Sequence, residues 1–124
     1  MIKKLIDIDG YWKVIVYYNI DYNFSFIITR DLKRINCTRK QIYSIYNNMF
    51  NGIAKAVTIS SIDKKVSVVL FNKHKNYNDY INSIVHEAEH IKQSILYAYD
   101  VEDYGEAPAY TIGYIASQML MFLL

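Results

Sequence analysis

The sequence predicts a single α+β domain: a mainly antiparallel N-terminal sheet with one helix, followed by two further helices. Three observations predict it. The 124 residues suffice for one compact core and divide poorly into two. A hydrophobic share of 52% and a charged share of 21% belong to a folded globular chain and exclude disordered and fibrous classes. The apolar period changes from strand-like before about residue 76 to helical after it.

In chain order, "YWKVIVYYN" (Tyr11 to Asn19) and "NFSFIIT" (Asn23 to Thr29) are β-branched and aromatic runs, read as two strands of a hairpin. Thr38 is a good N-cap for "RKQIYSIYNNMF", where Ile42, Ile45, Tyr46 and Met49 recur at helical spacing before the Asn51-Gly52 stop. "IAKAVTIS" and "VSVVLF" then read as strands joined around Ser61 to Lys65. From about Tyr77 to Ala98, residues Ile81, Ile84, Val85, Ala88, Ile91 and Ile95 share one side of a helix, with Lys92 the misfit in that stripe. After the polar break "DVEDYG", a last helix is expected from Glu106, with Pro108 tolerated in its first turn.

The net charge of +2 is unevenly distributed: 13 of the 14 Lys/Arg precede Tyr77, and 7 of the 12 acids follow Asn76. The basic residues are spread over strands and turns, which reads as solvated faces and not as a nucleic-acid stripe. Cys37 is the only cysteine, so a Cys-rich zinc site and an internal disulfide are excluded, and a cytoplasmic setting without an export signal is expected. Residues 107–124 carry no charge. Pro108, Thr111, Gly113, Ser117 and Gln118 make them poor material for a membrane span, so they are read as a helix covered by the core or by a second copy of the chain.

The chemistry concentrates in "SIVHEAEHIKQ". His86 and His90 are four residues apart, so on a helix they stand one turn apart and can offer two imidazoles to one ion, opposite the apolar stripe. Glu87 lies on the neighbouring row at the edge of the stripe, within reach of a metal-bound water. This is a His-Glu-x-x-His pattern, and from about Val66 to Gln118 the chain resembles the zincin metallopeptidases. The resemblance implies Zn2+ held by His86 and His90, Glu87 as general base, and a peptide or protein substrate. The metzincin extension would need Gly at position 93 and His at position 96; Gln93 and Leu96 exclude that branch.

A catalytic zinc site needs a third protein ligand. Glu106, 16 residues after His90 at the head of the last helix, is the gluzincin-like choice; Glu102, Asp103 and His74 are the substitutes. A regular helix to Tyr99 carries the chain about 13 Å past His90, so the segment from Asp100 to Gly105 must fold back for Glu106 to serve. The Glu-Ala-x-Ala-Tyr setting of Glu106 resembles small zincin-like domains of phages and mobile elements. Tyr110, or Tyr104, is the candidate donor to a developing oxyanion, and Glu89 is either exposed or a supporting neighbour of the site. By the same resemblance, substrate would lie along "VSVVLF". Rival readings are a regulatory protease of the ImmA/IrrE type, a non-catalytic zinc-bearing structural protein, and a metal-free interaction domain.

Overall fold

The computed structural model describes residues 1–123. Its elements are β1 (Ile2–Ile8), β2 (Trp12–Tyr18), α1 (Ser25–Arg34), α2 (Arg39–Phe50), β3 (Ala56–Ser61), β4 (Val66–Phe71), α3 (Tyr77–Ala98) and α4 (Glu106–Leu120). Short 3-10 turns cover Tyr22–Phe24 and Met121–Leu123.

β1 and β2 form the N-terminal hairpin, paired from Ile2↔Tyr18 to Ile8↔Trp12. Its turn uses two consecutive left-handed residues, Asp9 (φ 50) and Gly10 (φ 78), a conformation that Asp and Gly adopt with little strain. The Asp7 carboxylate accepts from Gly10 N at 3.0 Å. Asn23 to Thr29, expected as the partner strand of β2, instead enters α1. Asp21 caps the preceding turn by accepting from Asn23 N, and Ile28, Asp31 and Leu32 then face the sheet at helical spacing. Fully burying Ile28 and Leu32 contributes roughly 1.5–3 kcal/mol each. Placing Ile or Thr in a helix costs only about 0.5 kcal/mol each. Packing therefore overrides the strand propensity of "FIIT".

The expected start of α2 is found with a complete capping box, Thr38 Oγ1 accepting from Gln41 N and Gln41 Oε1 from Thr38 N. β3 and β4 pair antiparallel. The sheet is mixed, not mainly antiparallel: its order is β1-β2-β4-β3, and β2 runs parallel to β4 from Lys13↔Val66 to Tyr17↔Leu70. A parallel pair needs a long crossover, here made of α1, α2 and β3.

The sheet is covered on both faces. Val14, Val16, Tyr18, Val69 and Phe71 pack against Ile84, Ala88, Ile91 and Ile95 of α3 and Ile115 and Met119 of α4. Tyr17, Val68 and Leu70 pack on the other face against Ile28, Leu32, Ile42 and Met49. Central strands buried on both faces explain the unbroken apolar runs in β2 and β4. No helix among the described residues is long and apolar enough to cross a membrane. The end of the chain serves the core: Phe122 stacks on Tyr18 at 4.1 Å between ring centroids, and Tyr18 Oη donates to Met119 O at 2.9 Å. Leu124 lies outside the described residues.

One buried carboxylate ties three elements together. Asp31, 1% exposed, accepts through Oδ2 from Tyr17 Oη and from Lys3 Nζ at 2.9 Å. Burial pushes its carboxyl up, but the hydrogen bonds from Tyr17 and Lys3 and the Lys3 charge outweigh burial and hold it below the usual carboxylate value. A lowered folded-state value means that the stabilisation is complete above the unfolded value, about 3.9, and is lost as pH falls through the folded one. We expect Asp31→Asn to cost about 2 kcal/mol at pH 7 in urea unfolding, with the deficit shrinking below pH 4; equal stability of the two chains at pH 7 would refute the role.

Candidate functional site

α3 begins where Asn76 caps it, its side chain accepting from Asp79 N at 2.9 Å. Its observed span coincides with the sequence expectation. His86 and His90 project from one flank, and their Nε2 atoms lie 3.1 Å apart with ring centroids at 4.8 Å. Both are exposed. Two nitrogens of a tetrahedral zinc site, each near 2.1 Å from the ion, stand about 3.4 Å apart, so the imidazoles already have nearly the separation that one ion requires.

Glu87 is not at a solvent edge. It is 4% exposed, accepts through Oε1 from Thr58 Oγ1 at 2.9 Å, and places Oε2 4.0 Å from His86 Nε2. Thr58 belongs to β3, so the edge strand itself orients the carboxylate. Sequence reasoning missed Thr58, and only its register against α3 reveals it. A groove of about 390 Å3 runs beside it, lined by Thr58, Ser60 and Ile62 from β3 and its loop and by His90, Gln93, Ser94 and Tyr97 from α3. β4, the strand expected to receive substrate, is interior, with β2 on one side and β3 on the other; the edge beside the histidine helix is β3.

Two details of the α3 stripe differ from expectation. Val85 is 44% exposed, whereas Lys92 is buried. Lys92 Nζ lies 2.8 Å from Glu89 Oε1 and 2.9 Å from Asp103 Oδ1, which neutralises the charge that made it look misplaced. The bond to Glu89 pushes the Lys92 ammonium up, burial opposes it, and Asp103 adds to the rise. Glu89 is thereby engaged with Lys92, and its Oε1 also accepts from Gln93 Nε2 at 3.2 Å.

The Lys92 to Asp103 bond also shows the chain after Tyr99 folding back along α3, as Glu106 would require. It returns on another flank. Ile95 and Leu96 line one cavity with Ala107 and Thr111 at the start of α4. At 100° per residue, Lys92 and Leu96 lie between about 80° and 160° around α3 from His86 and His90. Glu106 is exposed at the head of α4, Glu102 is exposed, and Asp103 is engaged by Lys92. His74 is bonded to Asn72 O and Ser83 Oγ. Among the described residues no three His, Cys, Asp or Glu side chains are grouped to hold a metal ion. The structure thus brings together His86, Glu87 and His90 and leaves Glu106 outside the group. Tyr104 and Tyr110 are both more than 70% exposed.

Comparison with protein-family models, with curated proteins and with solved structures finds no match to this chain.

Thr58 is the donor that the structure gives to the buried Glu87 carboxylate. Thr58→Val should lower stability at pH 7 by about 1–3 kcal/mol, while Thr58→Ser, which keeps the hydroxyl, should stay close to the unmodified chain in the same urea titration.

Proposed function

We propose that the chain is a zinc-dependent peptidase in which His86 and His90 hold the ion and Glu87 is the general base. The observation that carries this reading is the 3.1 Å separation of the two Nε2 atoms beside a buried, oriented carboxylate. The fit to zinc is partial, because two imidazoles are in place and the third protein donor is not grouped with them. Glu106, the acid at the head of α4, would serve as that donor only if the segment from Asp100 to Gly105 brought it round to the histidine flank, since it stands outside the two-histidine group. When bound, zinc supplies Lewis acidity toward a peptide carbonyl and toward a water.

The chain's own residues carry the rest of the proposal. Glu87, fixed by Thr58, accepts a proton from a water in front of the histidine pair, since its Oε2 is the oxygen left free to face His86. The open edge of β3 offers main-chain donors and acceptors to an extended peptide, which would lie in the groove between β3 and α3. A second reading, a zinc-bearing or metal-free interaction domain without catalysis, is favoured by the two-histidine group that lacks a third ligand.

Metal analysis of the purified chain should find about one zinc per molecule, lost in His86→Ala and His90→Ala and weakened in Glu106→Ala. Glu87→Gln should keep the zinc and lower peptide hydrolysis at least about 100-fold. Zinc retained with no peptide cleavage by the unmodified chain would favour the non-catalytic reading, and absence of zinc binding would remove the peptidase.

A further inference from the structure

A second group of chemistry-bearing side chains lies at the start of α3, separate from the histidine pair. His74, in the connection from β4 to α3, has Nδ1 2.7 Å from Asn72 O and Nε2 2.7 Å from Ser83 Oγ. A carbonyl oxygen can only accept, so Nδ1 carries the proton and donates. In the neutral ring Nε2 is then an acceptor, and Ser83 Oγ–H donates to it. A hydroxyl bonded to an imidazole whose other nitrogen is held by a third group is the arrangement that activates a serine nucleophile.

The third group is firmly placed. Asn72 N donates to Lys55 O, its Nδ2 donates to Met49 O and Ala54 O, and its Oδ1 accepts from Tyr22 Oη. The His74 ring packs against Tyr80 with centroids 4.3 Å apart, which limits its rotation. Ser83 itself departs from the habit of helical hydroxyls. Ser94, Thr111 and Ser117 bond back to carbonyls of their own helices, the usual local satisfaction for such side chains. Ser83 bonds to His74. Both residues are half-buried, so each keeps part of its surface exposed.

We infer that Ser83 is a nucleophile activated by His74, able to take an acyl group from a small carboxylic ester or acyl thioester. In the first step the Ser83 Oγ to carbonyl carbon bond forms as the proton passes to His74 Nε2. The bond from that carbon to the alkoxide or thiolate then breaks, and the leaving group takes the proton. In the second step water adds to the acyl carbon, its proton passes through His74 to Ser83 Oγ, and the carboxylic acid departs. The inference is confined to activated esters and thioesters, whose good leaving groups demand the least oxyanion support, and leaves amides out. Nothing in this inference uses His86, Glu87 or His90.

The test treats the full chain with diisopropyl fluorophosphate, which forms an Oγ–P bond as fluoride leaves, and with p-nitrophenyl acetate. Mass mapping should find one adduct per chain on Ser83, absent in Ser83→Ala, which removes only a hydroxyl. His74→Gln and His74→Phe, the latter keeping an aromatic ring against Tyr80, should slow labelling and ester hydrolysis about 100-fold. EDTA should change neither rate, which separates this site from the zinc reading. Absence of a Ser83 adduct on the folded chain, or labelling of either His74 variant at the unmodified rate, would overturn the inference.

Discussion

The parallel pairing of β2 with β4 is the constraint from which the remaining architecture follows. Two strands joined in this direction cannot be linked by a tight turn, so the intervening chain must leave the sheet and return. α1 and α2 fill that excursion and cover one face. β3 is left to pair on the outside of β4, which makes it an edge. The opposite face then remains for α3 and α4, and α3 comes to lie along β3 with Thr58 against Glu87. A carboxylate beside an accessible strand edge is thus a consequence of strand order.

Much of this was legible wherever local chemistry and tertiary packing agree. The Thr38–Gln41 box marks the start of α2, the apolar stripe from Ile81 to Ile95 marks α3, and Glu106 with Pro108 marks the head of α4. Where they disagree, sequence patterns mislead. "NFSFIIT" has the composition of a strand, yet Ile28 and Leu32 gain more by packing on the sheet as a helix. The Asp9-Gly10 pair is the local signal in the sequence for the β1–β2 hairpin.

The candidate site divides along the same line. Spacing alone places His86, Glu87 and His90 on neighbouring rows of one helix, since that depends only on helical geometry. Whether Glu106 meets them depends on the flank to which the chain returns after Tyr99, and the Lys92 to Asp103 bond marks the flank it takes. The Lys92 ammonium has anionic partners in Glu89 and Asp103, and the loop that carries Asp103 lies on their side of α3. No periodicity argument contains that information. The same holds for Ser83 and His74, nine residues apart with a helix boundary between them.

Asn72 joins several parts of the molecule. Its side chain is held by the end of α2, the segment before β3 and the tyrosine that precedes α1, while its backbone carbonyl steers the imidazole on the far side of the strand end. Asn72 is therefore one link between the two helical layers, in addition to the sheet against which both pack. A disturbance that reshapes the Asn51–Ala54 corner would reorient the proton acceptor of Ser83 without touching either partner, a long-range sensitivity built from ordinary hydrogen bonds.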